Sequence, residues 1–353
     1  MAVILKKKGN FLEDFRVNQL LRHKVGKTLT EGLFNSFTEF SMATNPLSKN
    51  ARYARRYGFD GMIAPPGLVM AIVFSQSVED ISENARANLE YIDMRFGAPV
   101  YIGDTIEVES LVLGVKASSK QPDLGVVHVQ TTGRNQDGKV VLTYERKVQV
   151  WKGDPKAAVD DTPTAQAPFV ECELQLPAYD PGSRYGELAH LTNSDTYFED
   201  FNPGDTLQHW RGRVMTTEHV ALTAMLDNTS QVHCNQYMID QNPEKYLGGQ
   251  LIVFGGIPFN LCLGLSSPDT TDNALGDIRY ITGRHTAPIF AGDTVFASTE
   301  ITGKRDYPAR SDLGIVAMTL RGHKFLRKEG QFEKVEIFYL EREAAVKRRS
   351  HYC

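Results

Sequence analysis

Long apolar runs are missing from this chain. None reaches the roughly 18 uninterrupted residues expected of a membrane-spanning helix, so no membrane partner is expected. The first ten residues, Met1 to Asn10, carry lysines but lack the apolar core of a signal peptide. Cysteine is scarce: Cys172, Cys234, Cys262 and Cys353 show no metal-ligand spacing and no paired framework. Cys234 follows His233, but no other Cys or His completes a zinc set nearby, and no metal is expected. A basic excess is also absent. The 39 Lys and Arg stand against 43 Asp and Glu, a net charge of −4, which gives no reason to expect nucleic acid. A local basic patch can still hold a small polyanion. What remains is an ordinary globular composition, 41% hydrophobic and 23% charged. The 353 residues suffice for two domains. Reducing cytoplasm is the expected setting.

An internal repeat organises the chain. Ala98-Pro99-Val100-Tyr101-Ile102-Gly103-Asp104-Thr105 matches Ala287-Pro288-Ile289-Phe290-Ala291-Gly292-Asp293-Thr294, an offset of 189 residues. Asp123-Leu124-Gly125-Val126-Val127 matches Asp312-Leu313-Gly314-Ile315-Val316 at the same offset of 189. Upstream, Glu13-Asp14-Phe15 matches Glu199-Asp200-Phe201 at 186. Three anchors in one order imply a tandem duplication. The expected division is a first unit over 1–152, a linker over 153–182 and a second unit over 183–353. Between the units, Pro155, Pro163, Pro168, Pro177 and Pro181 read as an extended linker.

Each unit reads as one helix followed by strands. In the first, Pro66-Gly67 opens the apolar run Leu68 to Phe74, with apolar residues returning at Val78 and Ile81. Proline is pre-organised for a helix start, and a helix apolar nearly all round is buried on most sides. Thr105 to Glu109 alternates as a strand should. Gly125 to Thr131 and Val140 to Trp151 follow, joined by turn residues Gln136-Asp137-Gly138-Lys139. The expected class is α+β: a tandem, or double, hotdog, each unit a long antiparallel sheet wrapped round a central helix.

The order of features is an acidic-Phe pair, a polar motif ending in His, a Gly-rich helix start, then Pro-x-x-x-Gly-Asp-Thr. This resembles the MaoC-like dehydratases of the hydratase 2 family, in double-hotdog form, over most of both halves. Asn45-Pro46-Leu47 and Tyr53 to Gly61 add to the likeness. Asn228-Thr229 with Val232-His233, followed by Gly283-Arg284-His285 and Ala287-Pro288, resembles its mesaconyl-CoA hydratase (β-methylmalyl-CoA dehydratase) branch. The resemblance implies reversible hydration of a 2-enoyl-CoA thioester, with CoA carried by the substrate and no separate cofactor. An (R)-specific hydratase for simple acyl chains, a hotdog thioesterase and a non-catalytic acyl-CoA binder remain alternatives. One chain already pairs two hotdogs, and a homodimer is a common further step.

Residues that differ between the copies are where function can live. Ala224 to His233 is the counterpart of Phe40 to Ser48, and Ala43 and Ser48 stand where the second copy has Asn228 and His233. Imidazole, with an ordinary pKa near 6.5, suits acid–base work. The family pattern places an Asp five residues before this His; here that position is Asn228, with Asp227 one residue earlier. Either Asp227 reaches in, or Asn228 binds the water and His233 makes both proton transfers. Gly255-Gly256 opens the second helix, whose free N–H groups suit a thioester oxygen turning into an enolate; close packing is the other reading. Arg284 shares its register with Arg95, whereas His285 replaces Phe96. Both are candidates for a substrate carboxylate, against a surface reading for His285. Arg52, Arg55 and Arg56, beside Lys49, are either a solvated face or contacts for CoA phosphates.

Overall fold

The computed structural model describes residues 9–353, so the reading of the first ten residues lies largely outside the described residues. In the first half, β1 (Leu20–Arg22) and β2 (Lys27–Thr28) precede α1 (Glu31–Ser41) and α2 (Ala51–Arg56). Then come α3 (Pro66–Gln76), the short α4 (Val78–Ile81), and four long strands: β3 (Ala85–Phe96), β4 (Thr105–Ala117), β5 (Leu124–Arg134) and β6 (Val140–Trp151). The second half repeats the plan with β7 (Thr206–Val214), α5 (Glu218–Met225), α6 (Gln236–Gln241) and α7 (Gly256–Thr270). Its strands are β8 (Ala274–His285), β9 (Thr294–Asp306), β10 (Leu313–Lys328) and β11 (Gln331–Lys347), closed by α8 (Arg349–Tyr352). β8 and β9 start and stop 189 residues after β3 and β4.

The strands form one antiparallel sheet in the order β1-β4-β5-β6-β3-β8-β11-β10-β9-β7, with β2 beside β4. The two halves meet at β3 and β8, where Tyr91 lies opposite Gly283 and Met94 opposite Tyr280. Asp93 crosses this seam, accepting from Arg95 at 3.0 Å and from Arg279 at 2.5 Å. Charges such as these on the outer face blur the apolar alternation of β3. That is why the strand motif starting at Thr105 is legible in sequence while its predecessor is not.

The sheet wraps two buried helices. Pro66 opens α3, ten of whose eleven residues are buried. The helix stops at Ser77, whose Oγ donates back to the Phe74 carbonyl at 2.6 Å. α7 is buried over a longer span and packs against α1 so closely that a Cβ on Gly264 would sit 1.7 Å from the Ser41 carbonyl oxygen. The stretch from Gly153 to Gly182 forms neither helix nor strand, but it is laid down on the protein. Ala165 N donates to Leu113 O (2.7 Å), Gln130 Nε2 to Pro168 O (3.0 Å) and Gln175 N to Gly97 O (3.1 Å). Among the described residues no helix is long and apolar enough to cross a membrane.

Candidate active site

Pseudo-symmetry produces two cavities, one over each central helix. The first is lined by Ala43 and Ser48 and has a volume of about 110 Å³. Leu174, Gln175 and Leu176 of the linking segment also line it. The second measures about 310 Å³ and is lined by Asn228, Ser230, His233, Gly255 and His285 from the second half. The first half supplies its opposite wall through Phe74, Val78, Asn88 and Tyr91. The cavity therefore belongs to the pair of hotdogs and to neither alone.

The loop bearing Asn228 and His233 is fixed by local geometry. α5 ends at Met225 and is capped by Leu226, and Asp227 adopts a left-handed φ of 58°, as Met42 does at φ 59° in the first copy. This turn sends the Asp227 carboxylate to Lys27, at 2.6 Å, away from the cavity. Thr229 Oγ1 donates to Glu83 at 2.6 Å, so first-half residues hold the loop on both sides of Asn228. Asn228 is 6% exposed; its Oδ1 accepts from Ser230 N at 3.1 Å, and its Nδ2 is buried without a protein partner. The donor is left for a ligand or water. Of the two alternatives open in the sequence, Asn228 is the one at the cavity, and Asp227 is engaged elsewhere.

His233 ends a single 3₁₀ turn, Gln231–His233. Its Nδ1 lies 2.9 Å from the Ile252 carbonyl oxygen, which can only accept. The neutral ring is thereby held as the Nδ1–H tautomer, with the lone pair on Nε2. Burial pushes the imidazole down to about 4, against the pull of the Ile252 carbonyl and helped by nearby His219. The ring is thus an unprotonated base near neutral pH.

His285 also lines this cavity, with Nε2 3.3 Å from the Tyr91 hydroxyl. Burial pushes it down to about 4 as well. It lies directly under Gly255: a Cβ there would approach His285 Nε2 to 2.6 Å. The close-packing reading of Gly255 and its reading as the helix start at the cavity both describe its position. Gly256 is turned to Phe254, whose ring a Cβ would meet at 2.6 Å, and it does not line the cavity.

The arginines named from sequence lie elsewhere. β8 alternates, so Arg284 faces the side opposite His285; it is exposed and stacks on Tyr339, 4.2 Å from the ring centroid. Arg52, Arg55 and Arg56 sit on α2. Arg56 donates to Arg184 O at 2.8 Å and to Glu187 at 3.3 Å. None of the three is among the described residues lining the larger cavity. Arg86, exposed at the cavity rim, was missed in sequence. Its repeat partner is Leu275, so the comparison that singled out His233 would have found it. Asp104 and Asp293 serve turns: each carboxylate caps a backbone N–H three residues back, at 2.7 Å from Tyr101 N and 2.9 Å from Phe290 N.

Two hotdogs fused through one sheet, with a histidine and an amide at the cavity on the second helix, define the MaoC-like double-hotdog class. A solved structure from Chloroflexus aurantiacus, described as a MaoC domain protein dehydratase, superposes with a TM-score of 0.85 at 31% identity, covering 98% of this chain and 100% of that one. A Mycobacterium tuberculosis protein described as having a double hotdog fold gives a TM-score of 0.77 at 20% identity, covering 96% and 98%. The chain belongs to the mesaconyl-CoA hydratase family, whose model matches residues 3–326. It is 37% identical to the β-methylmalyl-CoA dehydratase of Chloroflexus aurantiacus over 309 residues, 87% of this chain and 86% of that protein. It is 32% identical to the mesaconyl-CoA hydratase of Cereibacter sphaeroides, covering 89% and 88%.

Proposed function

We propose that this protein is a hydro-lyase that reversibly adds water to mesaconyl-CoA, giving β-methylmalyl-CoA. The observation that carries the reading is His233, an unprotonated imidazole on the cavity wall whose Nδ1 is tied to the Ile252 carbonyl. Its Nε2 takes a proton from a water oriented by the Asn228 amide. The hydroxide equivalent adds to C3 of the enoyl thioester, and the electron pair moves to the thioester oxygen. An N–H at the start of α7, beside Gly255, stabilises that enolate. The imidazolium then returns the proton to C2. A ring whose pKa is held low is a strong acid once protonated, which favours this second transfer. One residue serves both steps because Asp227 is paired with Lys27. The first hotdog (1–152) shapes the acyl pocket, the segment 153–182 links the units, and the second hotdog (183–353) carries the chemistry. CoA is the handle of the substrate, and Arg86 is placed to meet its phosphates at the rim. The reaction is redox-neutral and calls for no electron-transfer cofactor.

The test is to mix the protein with mesaconyl-CoA and follow enoyl-thioester absorbance together with free thiol. Hydration bleaches the absorbance with no thiol released. Thiol release would make the protein a thioesterase, and a flat trace in both channels would reduce it to a binder.

A further inference from the structure

The second half contains a buried ion pair that the first half lacks. Arg342, 2% exposed, places Nη1 3.8 Å from Asp277 Oδ2. Tyr280 donates its hydroxyl to the same oxygen at 2.5 Å, and Ser266 Oγ accepts from Arg342 Nη2 at 3.1 Å. At an offset of 189, Ser266, Asp277 and Tyr280 correspond to Ser77, Asn88 and Tyr91. Arg146 is the equivalent of Arg342: it lies opposite Tyr91 across β3 and β6, as Arg342 lies opposite Tyr280. Arg146 donates to Ser77 Oγ at 2.8 Å, so the serine contact is kept. The carboxylate is not: position 88 is asparagine.

The consequences fall at the wall of the larger cavity. Arg146 is fully buried, and its Nε and Nη1 have no hydrogen-bond partner. Its guanidinium lies 4.3 Å from the centroid of the Phe74 ring, behind a wall that Phe74 and Tyr91 form. Among the described residues no carboxylate forms an ion pair with it; only Tyr144 and Tyr91 offset the loss of hydration that holds its charge down. Asn88 lines the cavity itself, and both polar atoms of its side chain are buried without a partner. A buried cation without a counter-ion is costly, and an unmet amide adds to the cost. Two such groups, at the positions where the other half holds its Asp277–Arg342 pair, mark a place for an anion brought by a ligand.

We propose that Asn88 and Arg146 form the subsite for the free carboxylate of the acyl group, which takes the place Asp277 holds in the other half. The Asn88 amide donates to the carboxylate, and Arg146 supplies the balancing charge from behind it. Both are specificity-determining residues and take no part in proton transfer. Arg284, on the opposite face of the sheet, has no such role. This assignment rests on the hydratase reading above and deepens it.

The experiment compares kcat/KM for mesaconyl-CoA and crotonyl-CoA, which lacks the second carboxylate, on the intact protein. Asn88→Asp recreates the arrangement of the other half. It gives Arg146 a counter-ion and places a like charge where the substrate carboxylate must sit. The mesaconyl-to-crotonyl ratio should fall at least tenfold, while the melting temperature holds or rises. Arg146→Met should lower the same ratio at least tenfold. If neither variant melts cooperatively, Asn88→Leu is measured against the same threshold. A smaller fall in any folded variant overturns the assignment. Failure of the unmodified protein to hydrate mesaconyl-CoA would sink the functional reading itself; activity there with an unmoved ratio in the variants would sink only this subsite.

Discussion

Lowering the pH from 7.5 to 5.5 should leave kcat/KM nearly unchanged, although the proposed base, His233, is a histidine. Burial holds His233 down to about 4. At pH 5.5 such a ring is about 97% in its basic form, whereas an unperturbed imidazole near 6.5 would be only about 9% basic. The two cases differ by about tenfold in kcat/KM at that pH, well outside assay error. The measurement is the initial rate of enoyl-thioester loss at substrate concentrations below KM, across pH 4.5 to 8, because kcat/KM reports the free enzyme. Folding sets the lower bound of the window. His233, His285 and His323 are all depressed to about 4. Between roughly pH 4 and 6.5 these three side chains bind more protons in the unfolded chain than in the folded one, so their contribution to stability falls as pH falls through that range, offset in part by Asp272, whose carboxyl burial pushes up to about 6. Circular dichroism at each pH separates this loss from titration of the base. An acid limb with its midpoint near 6.5 in folded protein would refute the reasoning, because a base that titrates there is solvated like an ordinary histidine, unlike the buried His233 ring.

Other consequences are open to direct measurement. His233→Ala should lower kcat by about two to four orders of magnitude, the range for a positioned acid–base group, while Ser48→Ala in the smaller cavity should change it little; equal losses would show that both cavities turn over. Gly264→Ala should destabilise the fold by about 1–3 kcal/mol in urea unfolding, since the added methyl meets the Ser41 carbonyl; an unchanged midpoint would mean α1 yields freely. Lys347, buried against Tyr53 and Tyr57 with hydroxyls at 2.6 and 3.1 Å, is pushed down to about 7 by burial, against the pull of Cys353 and of Asp272. At this side chain the unfolded chain binds the extra proton between pH 7 and about 10, so Lys347 adds a rise of stability with pH there, and Lys347→Met should remove that contribution, read as the difference between the two proteins' thermal melts across pH 7 to 8.5, below the titration of the buried thiols Cys172 and Cys262.

The sequence was sufficient for the duplication, because turns and helix starts reuse the same residues at a constant offset. It was sufficient to single out the stretch that lines the second cavity, because Asn228 and His233 break the repeat where Ala43 and Ser48 stand in the first copy. Hydrophobic patterning located the central helix of the first half for a local reason: a helix buried on every side must be apolar on every side. Local reasoning stops where contacts cross the chain. Whether Asp227 or Asn228 faces the cavity depends on a left-handed turn and on Lys27, 200 residues away. Arg284 and His285 are neighbours in sequence, but strand alternation puts them on opposite faces, and β8 was not legible as a strand. Asn88 and Arg146 carry no motif. They become a site only because the joined sheet sets the first half's strands against the second half's loop. It also leaves a buried charge without the partner that its repeat possesses, since the energy of that charge is set by neighbours the tertiary structure chooses.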